Sequence, residues 1–199
     1  MFEDNIQERL GGTSTRLKPQ VLIVHGPIGS GKSRRAEQIA NRAKVNGYKV
    51  YGVISRRILR DRETVGYEGY YPDTDQSLDM VYKDSEVSGK NWKPLKGAFL
   101  YNETAFKIAN DSLVKAAHLI DNRTMAVVDE YGHLEARGFG LYPGLHKVVE
   151  TLSGGGKLLI LCRTNKIDNV LKLFNRETKI LVLEANRRDF WDSLGDSFI

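Results

Sequence analysis

The sequence predicts a three-layer α/β sandwich: a mostly parallel sheet between two layers of helices, with an antiparallel hairpin inserted at one side. Three observations carry this. Short, mainly apolar runs (Val21–Val24, Val50–Ile54, Met125–Val128, Lys157–Cys162 and Ile180–Leu183) alternate with segments of helical spacing, the pattern of parallel strands joined by right-handed crossovers. The runs are continuous rather than alternating, as strands covered on both faces are. Between residues 55 and 82 the pattern changes to interleaved Arg and Tyr broken by turn signals, which marks an antiparallel insert.

Taken in order, Val21–Val24 is the first strand. Ala36, Ile39, Ala40 and Ala43 then recur at helical spacing, and Gly47 supplies the stop. Val50–Ile54 is the second strand. Turn signals at Asp61–Glu63, Pro72–Asp73 and Asp75 delimit hairpin strands near 52–58, 64–71 and 77–83. Residues 84–97 read as an exposed loop. A helix is expected over about 103–119, with Phe106, Ala109, Leu113, Ala117 and Ile120 on one face and Asn102 as cap or turn residue. After the strand Met125–Val128, a helix carries Leu145, Val148, Val149 and Leu152, and the glycines up to Gly156 end it in a left-handed turn. Lys157–Cys162 is a strand. Ile167, Val170, Leu171 and Phe174 mark a short helix, and Ile180–Leu183 is the last strand.

The chain has 199 residues, enough for one domain with a substantial core. Residues 1–19 lack periodicity and read as a leader or linker, leaving 20–199 as the domain proper. The single cysteine, Cys162, excludes an intramolecular disulfide and falls inside an apolar run, as a buried strand thiol would. No secretory signal and no stretch long enough to span a bilayer is visible, so a cytoplasmic location is expected. A net charge of +5 is a mild bias, and Lys and Arg are mostly scattered. Nucleic acid is therefore not indicated. A protein partner stays open, and the oligomeric state is not legible.

Chemistry concentrates at Gly26-Pro27-Ile28-Gly29-Ser30-Gly31-Lys32-Ser33, which follows the first strand and opens the first helix. A triphosphate needs many N–H donors converging on it, and glycine lets the backbone wrap closely enough. The free amides and positive dipole end of the helix, extending to Arg34, add to this. Lys32 would reach the β- and γ-phosphates, and Ser33 would hold Mg²⁺. Residues 26–34 thus form the expected site for ATP, GTP or another nucleoside triphosphate. A plain glycine turn is the structural alternative.

The strand Met125–Val128 ends in Asp129 and Glu130. A buried strand that delivers Asp beside a phosphate loop is how such enzymes contact Mg²⁺, so Asp129 joins Ser33 as a metal candidate. Glu130 would orient and polarise an attacking water. At the end of Lys157–Cys162, Arg163 or Thr164 would sense the γ-phosphate, and an Arg there would stabilise developing charge. The alternative is a helix cap and a surface arginine. The basic patch Arg56–Arg62 has three readings: phosphate clamp, nucleic-acid contact or solvated hairpin face. Arg56 or Arg57 is the better placed to face a ligand. Tyr67, Tyr70 and Tyr71 would stack a base or, more simply, pair across the sheet. His133 has no partner at metal-ligand spacing.

These residues resemble the cancer-related nucleoside-triphosphatase family, small RecA-like P-loop NTPases. The resemblance covers roughly residues 20–195. It rests on Gly26–Ser33, Gly47–Val53, Val65–Glu68, the helix near Asn102, Val127–Glu135 and the tail Glu184–Asp189. The family form of the fifth segment is D-E-I-G-x-M-E after an apolar strand. Here Tyr131 and Leu134 depart from it, and the N-R-[DE] tail carries an extra Arg. The resemblance implies a RecA-like sheet with a strand added between the two motif strands. It also implies slow, Mg²⁺-dependent, base-tolerant hydrolysis to diphosphate and phosphate; Lys32, Glu130 and Arg163 are the catalytic candidates. Glu135 would stand behind them. Two alternatives remain: a P-loop kinase for a small molecule or nucleotide, and a nucleotide-switched binding module.

Overall fold

The computed structural model describes residues 20–195 and 198–199. The leader expected over 1–19 lies outside them. Among the described residues nine strands form one sheet: β1 (Val21–His25), β2 (Lys49–Arg60), β3 (Glu63–Tyr71), β4 (Gln76–Lys83), β5 (Trp92–Lys96), β6 (Phe99–Asn102), β7 (Thr124–Tyr131), β8 (Lys157–Cys162) and β9 (Ile180–Glu184). The helices are α1 (Lys32–Val45), α2 (Glu103–His118), α3 (Tyr142–Thr151), α4 (Ile167–Leu171) and α5 (Phe190–Leu194).

The strand order is β5-β6-β4-β3-β2-β7-β8-β1-β9. The run from β2 through β7, β8 and β1 to β9 is parallel. β8 lies between β1 and β7, the added strand expected of a RecA-like sheet. β3, β4, β6 and β5 extend the sheet antiparallel. The hinge between the two parts is β2, whose Lys49–Val53 pair with β7 while Ile54–Arg60 pair with β3. The two strands expected over 50–54 and 52–58 are therefore one.

Alternation of strand residues splits the core in two. Val21, Ile23, Val53, Val128, Leu158 and Ile160 face α2, α3 and α4, whereas Leu22, Val24, Val127, Leu159 and Leu161 face α1 and α5. Such fully buried leucines and valines are worth about 1.5–3 kcal/mol each in transfer free energy. Buried apolar surface on both faces explains why the parallel strands read as unbroken apolar runs. Cys162 is fully buried, and burial pushes its thiol up to about 12. α2 begins as expected, with Asn102 Oδ1 accepting from the Thr104 and Ala105 amides at 3.0 and 3.4 Å. Gly155 ends the turn after α3 with φ +105°.

Two of these elements differ from expectation and one is new. The segment 84–97 is not an open loop: it holds a 3₁₀ turn over Asp84–Glu86 and the edge strand β5, paired with β6. Its Trp-Lys-Pro-Leu-Lys sequence hides the strand because Pro94 is a residue that only an edge tolerates. α4 stops at Leu171 and does not reach Phe174. The C-terminal α5, whose Phe190 and Leu194 are fully buried, was not foreseen.

Candidate functional site

β1 ends at His25 and the chain turns through residues 26–31 into α1. Gly26, Gly29 and Gly31 have φ of +153°, +79° and +88°, a region L-residues rarely enter. At Gly26 a Cβ would also lie 2.5 Å from Ser30 Oγ. The tip, Pro27–Gly29, is exposed. Gly31 caps α1 without a side chain, and the first turn carries Lys32, Arg34 and Arg35 but no acid. That reverses the usual preference at a helix start and concentrates N–H donors and positive charge at the loop. Lys32 Nζ donates to the Gly26 and Pro27 carbonyls at 3.1 and 2.9 Å, which lays the ammonium inside the loop. Ser30 Oγ is buried with no partner among the described residues. A buried orphan hydroxyl in such a loop suits an anionic ligand. Arg34 is exposed on the first turn.

Asp129 lies two strand positions from β1, about 10 Å across the sheet, yet it meets α1. The Ser33 hydroxyl comes close enough to the Asp129 carboxylate to favour its charged form. Asp129 Oδ2 also accepts from the Ser55 amide at 2.8 Å. The residue is 4% exposed. Burial lifts its carboxyl to about 7, against the opposing pull of the Ser33 hydroxyl, the Ser55 amide and the Lys32 charge.

Glu130 sits in a bulge of β7. Between Val128 and Tyr131 the register with β8 shifts, and Glu130 takes φ +79°. Such a bulge re-aims a side chain: Asp129 and Tyr131 stay buried while Glu130 is exposed. Its Oε1 lies 3.5 Å from Arg163 Nε, at the end of β8. With both side chains nearly half exposed (46% and 47%), the pair is worth under about 1 kcal/mol. Thr164 heads a 3₁₀ turn and its Oγ1 is 3.2 Å from His25 Nδ1. Of the two residues weighed at this strand end, Arg163 is the one beside Glu130.

The hairpin residues separate by strand alternation. Arg56 is held by Glu37 of α1, lies 3.6 Å from Glu68 and stacks 4.0 Å above the Tyr70 ring. Arg60 pairs with Glu86. Tyr71 is buried, with its hydroxyl donating to the Ala105 carbonyl at 2.9 Å. Arg57 is exposed, directly across from Tyr67. Burial chiefly raises the Tyr67 hydroxyl, and the Glu130 and Asp129 charges add to the rise while Arg57 and Arg163 oppose it. Sequence reasoning missed Ser55, whose contribution is a backbone amide and leaves no side-chain signal. It also missed that Tyr67 belongs to this cluster, since nothing local separates it from Tyr70. Ala185, whose amide donates to the His25 carbonyl at 2.8 Å, closes the other flank of the loop.

A glycine loop on a strand–helix turn, a buried strand-end carboxylate one strand beyond its neighbour, and a following glutamate define a P-loop α/β protein with RecA-like strand order. The profile of the family described as NTPase matches residues 21–194, and the chain belongs to that family. Among solved structures it is similar to THEP1 from the hyperthermophile Aquifex aeolicus (TM-score 0.63, 16% identity, 85% of this chain and 91% of that one). It is also similar to a human cancer-related nucleoside triphosphatase (TM-score 0.58, 19% identity, 89% of this chain and 93% of that one). At these identities the likeness concerns the fold. A comparison with curated protein sequences finds no match.

Proposed function

We propose that the protein hydrolyses nucleoside triphosphates, ATP and GTP among them, to the diphosphate and phosphate, with Mg²⁺ and little selectivity for the base. The observation that carries this is that the Ser33 hydroxyl at the start of α1 comes close enough to the Asp129 carboxylate at the end of β7 to pull against its rise on burial. This approach joins two segments far apart in sequence into one hard-oxygen donor pair beside the phosphate loop. Hydroxyl and carboxylate oxygens fit Mg²⁺, which is bound by one or two such groups with phosphate and water completing its shell. Among the described residues no three His, Cys, Asp or Glu side chains converge into a self-sufficient metal cage, in keeping with that mode. The ion, held by Ser33 and Asp129, would supply charge neutralisation of the triphosphate.

The chain's own residues divide the remaining work. The amides of Gly29, Ser30 and Gly31 and the start of α1 cradle the phosphates. Lys32 moves its ammonium from two loop carbonyls to the β/γ-oxygens. Glu130, presented on the bulge, accepts a hydrogen bond from the attacking water and aligns it with the γ-phosphorus. Arg163, now resting on Glu130, transfers to the γ-phosphate as charge builds there. That frees the carboxylate for water. Of Arg56, Arg57 and Arg60, the three that would bind an acceptor in the kinase alternative, Arg56 and Arg60 are engaged by Glu37, Glu68 and Glu86, which leaves Arg57 exposed.

No described helix is long and apolar enough to cross a membrane, and a cytoplasmic site of action is proposed from the single buried thiol. The test is phosphate release from a panel of nucleoside triphosphates with Mg²⁺ and no acceptor. Lys32→Ala should abolish release, and Glu130→Gln should reduce it to a small residual rate while keeping nucleotide binding. Release that begins only on addition of a particular small molecule would replace hydrolysis by phosphoryl transfer.

A further inference from the structure

Glu130 sits in a backbone conformation that costs a non-glycine residue about 1–3 kcal/mol and persists only where neighbours over-determine it. On its amino side the restraint is plain, because Asp129 is buried and accepts from the Ser55 amide at 2.8 Å. On its carboxyl side Tyr131 is buried opposite Cys162, and then the chain leaves the sheet at Gly132. What holds it there is Glu135. This carboxylate is 5% exposed. Its Oε2 accepts from the Gly132 amide at 2.9 Å and its Oε1 from the Leu141 amide at 3.0 Å, so one side chain ties both ends of the segment 132–141.

The surroundings are shaped to this carboxylate. Gly140 has φ +65°, and a Cβ there would lie 2.2 Å from Glu135 Oε1. Asn110 of α2 anchors the far end, donating to the Gly140 carbonyl at 2.9 Å and accepting from the Gly144 amide at 2.8 Å. A chain of hydrogen bonds thus runs from α2 through the loop to the residue two positions after Glu130. Burying a carboxylate is costly unless hydrogen bonds compensate it, and here both of its oxygens are spent on backbone amides rather than on a cation.

We propose that Glu135 is a positioning residue for hydrolysis: it clamps the loop 132–141 and thereby holds Glu130 in its left-handed conformation. The proposal rests on the hydrolytic reading of Glu130. Glu135→Gln preserves volume but turns one acceptor into a donor facing an amide, so one of the two ties is lost. A reacting group displaced by about 1 Å loses about 10²-fold in rate. Glu135→Gln should therefore lower kcat about 10²-fold while leaving the affinity for a non-hydrolysable ATP analogue with Mg²⁺ unchanged. In a Glu130→Gln background it should lower the residual rate no further, because the clamp acts through Glu130. Asn110→Ala, which loosens only the far end, should show a smaller loss of the same kind and serves if Glu135→Gln does not fold.

Carbon chemical shifts of Glu130 report its φ directly. They should leave the left-handed range in Glu135→Gln. Unchanged kcat in the folded variant, or kcat and analogue affinity falling together, overturns the proposal. So does a full second loss in the Glu130→Gln background. A wild-type protein that releases no phosphate, yet whose Glu130 shifts move on Glu135→Gln, would sink the hydrolytic reading and leave the clamp standing.

Discussion

Asp129→Asn should make the ligand-free protein more stable at neutral and alkaline pH, although it removes a residue assigned to the cation. The Asp129 carboxyl is buried, and burial raises it from 3.8 to about 7. The sign follows from proton counting. Between these two values the folded state holds a proton that the unfolded state has released, so stability falls as pH rises through this window. At 1.36 kcal/mol for each pH unit of displacement, the full cost above pH 7 is about 4 kcal/mol, an upper figure because a buried site relaxes. Asparagine keeps the shape, keeps an acceptor for the Ser55 amide and presents an amide to the Ser33 hydroxyl, which can accept. Urea unfolding with a chelator present, at pH 4 and pH 8, reads the effect. The variant should gain on the order of 2–4 kcal/mol over the wild type at pH 8 and little at pH 4, while losing Mg²⁺-dependent hydrolysis. Equal stability of the two proteins at pH 8 would refute the reasoning, since an ionised Asp129 would then cost nothing to enclose.

Arg163→Ala should change stability by less than about 1 kcal/mol, because its pair with Glu130 is half exposed. It should nevertheless lower kcat by about 10²-fold or more through lost stabilisation of transferring charge, as thermal melts and phosphate release on one preparation will show. Glu130→Gly should abolish turnover without the loss of about 0.5–1 kcal/mol usual for glycine in a strand, because glycine relieves φ +79°. A clear drop in its urea midpoint would count against strain at that position. Asn102→Ala should cost about 1 kcal/mol by freeing the Thr104 and Ala105 amides, and Asn102→Gly only a few tenths, measured by urea titration.

The glycine loop after β1, the Asp129–Glu130 strand end and the parallel strands were legible because each leaves a local mark: glycine spacing, a carboxylate after an apolar run, or an unbroken apolar stretch. The hairpin was legible from Asp61–Glu63 and Pro72–Asp75. Other features depend on partners distant in sequence and so stayed hidden. The edge strand β5 is defined by pairing with β6, not by its own composition. β2 reads as two strands because it changes partner at Ile54, not because it breaks. Arg56 and Arg57 are equivalent on paper, yet alternation sends one to Glu37 and Tyr70 and leaves the other across from Tyr67. The left-handed turn at Glu130 is invisible because glutamate gives no hint of it, and its support comes from Glu135 and a β8 register shift.

A crystal structure of Glu130→Gln with Mg²⁺ and ATP tests the central claim most directly, since the unreacted nucleotide should be trapped. The triphosphate should lie across the amides of residues 29–33, with the Lys32 ammonium on the β- and γ-oxygens and the cation between the Ser33 hydroxyl and Asp129. A nucleotide bound elsewhere, or a triphosphate in the loop with its γ-end pointing away from Asp129 toward β9, would contradict it.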